Sequence, residues 1–206
     1  MNEQTVNPSR TPGRLKIILL AALFFLPVIA STVLYYSGWR PQAMVNRGEL
    51  VHPARQIADL GLIALDGSEI RFSQLRKKWT MLYFGSAECG TDCMKAIYKM
   101  RQVQATQGKD SDRIQRVFVV TDVRALDMFR YTVKDYPEML VIKGPEEAVG
   151  QLAKQFTLPA GSPLDGLGRI YLIDPLGNLM MSYPADADPS DMRKDLVRIL
   201  KVSQIG

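Results

Sequence analysis

Sulfur and imidazole are scarce in this 206-residue chain, which holds two cysteines, Cys89 and Cys93, and one histidine, His52. Two cysteines cannot form a structural zinc site on their own, and His52 lies well before them. A bridge between them would close too short a loop to serve chiefly as a stabiliser. Long runs of one charge are missing too. Twenty-six Lys and Arg against 21 Asp and Glu leave a net charge of +5, and only Arg76-Lys77-Lys78 exceeds a pair of basic residues. No aromatic platform stands beside that run, so nucleic-acid binding is not expected. Internal repeats and low-complexity stretches are absent, and the rest of the chain suffices for one domain of ordinary size.

A long uncharged run is present. Residues 17–36 read Ile-Ile-Leu-Leu-Ala-Ala-Leu-Phe-Phe-Leu-Pro-Val-Ile-Ala-Ser-Thr-Val-Leu-Tyr-Tyr without a charge. A helix rising about 1.5 Å per residue crosses a bilayer core in about 20 residues. Pro27 is tolerated in such a span, and Tyr35, Tyr36 and Trp39 form an interfacial aromatic cluster. Arg10, Arg14 and Lys16 precede the run, and Arg40 and Arg47 follow it. This slight asymmetry favours a cytoplasmic N-terminus and an exported domain. The rival reading is a cleaved signal peptide with Val28-Ile-Ala30 as the small-residue site. Both readings export the domain into a compartment where a cysteine pair persists as a disulfide. The expected boundaries are a cytoplasmic N-terminus over 1–16, a transmembrane helix over 17–37, a tether over 38–57 and a domain over 58–206.

Within that domain, residues 60–72 read as a hairpin turning at Asp66-Gly67. Residues 79–85 read as a short buried strand, and 89–107 as a helix ended by Gly108. Residues 114–122 are rich in β-branched side chains and read as a central strand. Helices are expected over 125–136, stopped by Pro137, and over 145–156, with Pro145 in the first turn. Residues 169–174 and 179–183 read as a second hairpin. Asp188-Pro189 opens a last amphipathic helix. Parallel strands joined by helices, then an antiparallel pair, predict a mixed sheet covered on both faces.

Cys89 and Cys93 follow the first core strand as Cys-Gly-Thr-Asp-Cys. Residues four apart share one helix face, and the amides of a first turn favour a thiolate over a thiol. Open α/β sheets place their sites at the C-terminal ends of strands. The pair is therefore set for oxidation to a disulfide or for a soft metal. Glu88 and Asp92 flank it and oppose the helix dipole, so no extreme thiol acidity is expected. Asp122 and Arg124 read as a turn pair, and His52 as a solvated tether residue.

The ordered motifs resemble the Sco/SenC family, thioredoxin-fold copper chaperones of cytochrome c oxidase assembly. Tyr83-Phe-Gly-Ser-Ala-Glu-Cys-Gly-Thr-Asp-Cys93 looks like the family's strand and Cys-x-x-x-Cys. Phe118-Val-Val-Thr-Asp-Val-Arg124 looks like its Asp-Pro-x-Arg turn, with Val123 in place of proline. Tyr171-Leu-Ile-Asp-Pro-Leu-Gly177 looks like its closing hairpin. The family's histidine ligand falls at Gly166, and Gly90 and Met94 stand where prolines usually follow the cysteines. The resemblance implies a thioredoxin-like α/β domain behind one N-terminal transmembrane helix, held in the bacterial inner membrane and facing the periplasm.

It further implies work on a cytochrome c oxidase subunit or its assembly factors. Without the histidine, thiol–disulfide exchange through Cys89 and Cys93 is favoured over stable copper storage. Alternatives are a Cu(I) carrier using Cys89, Cys93 and a methionine, with Met94, Met180 and Met181 as candidates, and a non-catalytic assembly scaffold. Peroxidase chemistry of the peroxiredoxin kind needs a proline seven residues before the cysteine, where this chain has Leu82. Thioredoxin's Cys-x-x-Cys is absent, and Gly168 stands where thioredoxins carry a proline before the closing strand.

Overall fold

The computed structural model describes residues 11–37 and 46–205. Arg10, Trp39, Arg40 and the first part of the expected tether lie outside the described residues. The chain divides into two compact units, Met1–Met44 and Val45–Gly206.

The first unit contains helix α1, Thr11–Tyr36. It begins before the expected span and keeps Pro27 inside it. Gly13–Tyr36 is long and apolar enough to cross a membrane. The hydroxyls of Thr32 and Ser37 donate to the carbonyls of Val28 and Leu34 at 2.8 and 2.9 Å. Those side-chain donors are thus satisfied by the helix's own backbone.

The second unit is built on an eight-stranded sheet. Its strands are β1 (Glu49–Gln56), β2 (Gly61–Ala64), β3 (Glu69–Arg71), β4 (Trp79–Ser86), β5 (Ile114–Asp122), β6 (Met139–Lys143), β7 (Ile170–Ile173) and β8 (Asn178–Tyr183). Their order across the sheet is β1-β8-β7-β4-β5-β6-β2-β3. β4, β5 and β6 run parallel, and every other pairing is antiparallel. The helices are α2 (Thr91–Ala105), α3 (Leu126–Val133), α4 (Glu146–Gln155) and α5 (Pro189–Val202).

Strand alternation sorts the central side chains into two cores. Trp79, Met81 and Tyr83 of β4 join Ile97, Met100 and Val103 of α2, Phe129 of α3 and Leu196 of α5 on one face. Leu82 and Phe84 join Leu152, Ala153 and Phe156, in and just after α4, on the other. This is the expected mixed sheet flanked by helices, of thioredoxin-like kind.

Several local expectations are corrected. Residues 49–56, read as tether, form β1 on the sheet edge and pair with β8. Their side chains are mostly exposed, so no apolar alternation marks them, and an edge position tolerates Pro53. Residues 139–143, left without an element, form β6, a five-residue buried run too short for periodicity to identify. The helix expected over 125–136 ends earlier, at Val133. Pro145 is the N-cap of α4 rather than a first-turn residue.

Candidate redox site

β4 runs through the centre of the sheet and ends at Ser86, at the end of the domain where β7 begins. The turn that follows is held by three hydrogen bonds. Ala87 N–H donates to the Asp122 carbonyl at 2.9 Å, Cys89 N–H to the Ser86 carbonyl at 3.1 Å, and Glu88 N–H to Ser86 Oγ at 3.1 Å. Gly90 is the N-cap of α2 and offers no side-chain cap. Cys89 therefore precedes the helix instead of opening it, because the chain must leave the strand pinned at Ala87 before it can turn. Cys93 is the third helical residue, where first-turn amides and the helix dipole favour a negative sulfur.

Cys89 and Cys93 are joined by a disulfide with their Cα atoms 5.1 Å apart. Both are half-buried and, with Met94, pack against the α2 face of the core. Glu88 and Asp92 are exposed, and Asp92 pairs with Lys95 at 3.0 Å in water. Asp122 accepts from Arg124 Nε at 2.7 Å and from its backbone N–H at 3.0 Å. These bonds to Arg124 hold the Asp122 carboxyl below its usual range. The same pair, with a smaller contribution from Glu88, raises the Arg124 guanidinium. The Asp122–Arg124 turn therefore borders the cysteine turn both electrostatically and through the Ala87 bond.

Residues without an assigned role in the sequence complete the surroundings. Tyr83 is 5% exposed, and burial, then the Asp92 carboxylate, pushes its hydroxyl above its ordinary pKa. Gly168 has φ +60, and a Cβ there would come within 3.3 Å of the Ala185 Cβ and 3.7 Å of the Tyr83 hydroxyl. Lys99 of α2 donates to the Ala185 and Ala187 carbonyls at 2.8 and 2.6 Å, fixing the loop after β8. Burial lowers its ammonium pKa, partly countered by Asp186 and Asp188. The readable signals were a lysine on the apolar arc of Ala96, Ile97 and Met100, and a tyrosine on the inward face of a buried strand.

Other candidates are not brought to the sulfurs. His52 is exposed on β1. Met181 is level with Leu172 and Met81, five residues short of Ser86, or roughly 16 Å along the sheet. Its sulfur packs against Gly48, where an added Cβ would sit 2.5 Å away. Met180, its neighbour on β8, is equally remote, which leaves Met94 of the three candidate thioethers.

Residues 79–203 match the family model described as the transmembrane-like, thioredoxin-like, C-terminal domain. The chain belongs to this family. No curated protein sequence matches it. Among solved structures, yeast Sco1 with copper bound is 19% identical, with 74% of this chain and 96% of that one covered at a TM-score of 0.61. BsSco, described as a member of the Sco family of cytochrome c oxidase assembly proteins with a disulfide switch, is 14% identical, with 73% and 96% covered at 0.58. A SCO1/SenC family lipoprotein from Bacillus anthracis is 18% identical, with 73% and 97% covered at 0.56. At these identities the likeness establishes a shared fold.

The donor set of this thioredoxin-like domain does not fit a three-ligand copper centre. Gly166, which closes the short turn Pro163–Asp165, brings no side chain. Among the described residues, no group of three or more His, Cys, Asp and Glu stands together as a metal site.

Proposed function

We propose that this thioredoxin-like protein is a membrane-anchored, Sco-like factor that exchanges its Cys89–Cys93 disulfide with the cysteines of a partner during cytochrome c oxidase assembly. The observation that carries the reading is the bridge itself, half-buried at the C-terminal end of β4 beside a helix N-terminus. The fold shared with yeast Sco1 and BsSco supports the choice of partner class. The apolar helix α1, with Arg14 and Lys16 at its start, supports an inner-membrane anchor with the domain in the periplasm.

In the exchange, a partner thiolate attacks Cys89 Sγ. A mixed disulfide forms as the Cys89–Cys93 bond breaks, and the electron pair leaves on Cys93 Sγ. The partner's second thiolate then attacks its own sulfur in the mixed disulfide, and Cys89 departs as a thiolate. Two electrons have passed to this chain and the partner is oxidised. In reverse, Cys89 attacks a partner disulfide and Cys93 resolves the intermediate. The reduced pair also offers two soft thiolates, a set that Cu(I) accepts at low coordination; copper would then be cargo, and no step above passes through it.

Alkylation of the full-length protein in glutathione buffers tests the exchange. Two alkyl groups are expected under reducing poise and none under oxidising poise. Identical labelling in both would falsify it. Extraction of membranes with alkaline carbonate tests the anchor: the chain is expected to stay in the pellet, and its release to the supernatant would contradict a span.

A further inference from the structure

Tyr83 is a titratable side chain that neither gives nor takes electrons in the exchange. It lies on β4 three residues before the strand ends, on the α2 face, with its ring against Phe118 at a centroid separation of 5.6 Å. Cys93 occupies the same face of α2 as Ile97 and Met100, at spacings of four and seven, and all three meet the core cluster that contains Tyr83. The Tyr83 hydroxyl is 3.7 Å from the place a Gly168 Cβ would take, with the Ala185 Cβ also beside that place. Among the described residues it has no hydrogen-bond partner, and unlike the Tyr171 hydroxyl it is not sealed from solvent. A large residue at 168 would crowd it, whereas glycine at φ +60 leaves it open.

We propose that the Tyr83 hydroxyl stabilises the exchange by donating a hydrogen bond to the Cys93 thiolate released when the disulfide opens. Cys93 is the sulfur that leaves when a partner attacks Cys89, and it leaves toward the apolar face of α2. There a half-buried thiolate has lost part of its water, and a donor offsets that loss. The helix N-terminus supplies one favourable field, and Tyr83 supplies an O–H. Its proton stays on oxygen, because burial and the Asp92 carboxylate both disfavour the phenolate. Three cations near this end are already engaged. Lys95 is paired with Asp92, Arg124 with Asp122, and Lys99 with two carbonyls. The donor favours the reduced pair over the bridge, so it makes the protein a stronger oxidant.

The inference rests on the exchange reading, and the experiment separates the two. Full-length protein in detergent is equilibrated with glutathione redox buffers, and its reduced fraction is read by alkylation. Tyr83→Phe keeps the ring packing and removes only the O–H. Its equilibrium constant for reduction is expected to fall about tenfold, the order of a hydrogen bond to a charged group. Replacing Tyr83 by 3-fluorotyrosine, a stronger donor, is expected to shift the equilibrium the other way. Tyr171→Phe, on the opposite face, is expected to leave it unchanged. Wild-type protein that never equilibrates with glutathione sinks the exchange reading. Exchange in the wild type with no change in Tyr83→Phe sinks the role of Tyr83 alone. Equal shifts in Tyr83→Phe and Tyr171→Phe mark a general packing effect and overturn it too.

Discussion

Asp195 of α5 accepts the backbone N–H of Gly48 at 2.9 Å, across 147 residues of chain. The same carboxylate accepts Arg47 N–H at 2.9 Å and the Tyr183 hydroxyl at 3.2 Å. Asp195 is 2% exposed, and its bonds replace the water it has lost. It fixes the point where the chain enters the sheet, and it sets the Tyr183 phenol far above its ordinary range together with burial, which is the larger cause.

Asp195→Ala leaves two backbone donors and a buried phenol without their acceptor. The expected loss is about 3 kcal/mol of unfolding free energy, read from urea midpoints at constant slope. A loss below about 1 kcal/mol would show that the β1 entry is held by something else.

Tyr171 presents the opposite case. Its hydroxyl is sealed in the α4-side core without a partner among the described residues, and burial pushes its pKa up to about 12. Tyr171→Phe removes an unsatisfied polar group and keeps the ring contacts with Phe84 and Phe156. The variant is expected to be neutral or up to about 1 kcal/mol more stable. A clear loss in thermal melts would reveal a partner for the hydroxyl.

Lys99 makes stability depend on pH in a defined sense. Burial lowers its pKa in the fold below the ordinary 10.5, so the unfolded chain holds the proton more tightly. The Lys99 contribution is thus fully present above the unfolded value and is lost as pH falls through the folded one. The stability difference between wild type and Lys99→Met is expected to grow in favour of wild type as pH approaches 10.5 from below. A difference that stays flat across that window would contradict the assignment, since other titrations cancel.

Cys89→Ser with Cys93→Ser opens the bridge at two half-buried positions on the margin of the α2-side core. Because the closed loop is so short, the loss is expected to stay within about 2 kcal/mol, with the far-ultraviolet circular dichroism unchanged. Collapse of the fold would make the bridge structural and remove the argument that it exists for exchange.

The apolar run of α1, the buried strand β4 and the Cys-x-x-x-Cys after it were legible because each is a local pattern: an uncharged stretch, a β-rich run, a fixed spacing. Local pattern also placed α5 behind Asp188, whose side chain accepts the Ser190 N–H at 2.7 Å. β1 and β6 escaped for physical reasons. β1 is held by backbone pairing and by Asp195, neither of which leaves an apolar signature in its own residues. β6 is buried between neighbours and too short to show a period.

By itself, the sequence determined that one sulfur pair follows a central strand, that no histidine follows it, and that an uncharged run of membrane-spanning length precedes the domain. These follow from composition and spacing, which no fold can alter. Only the tertiary structure decided which side chains stand around the pair. It set Met181 against Gly48 instead of a thiol, and it brought Tyr83, Gly168, Ala185 and Lys99 to one end of the sheet. Such neighbours come from strands and loops far apart in sequence, and strand register and loop return, which no local spacing encodes, bring them together.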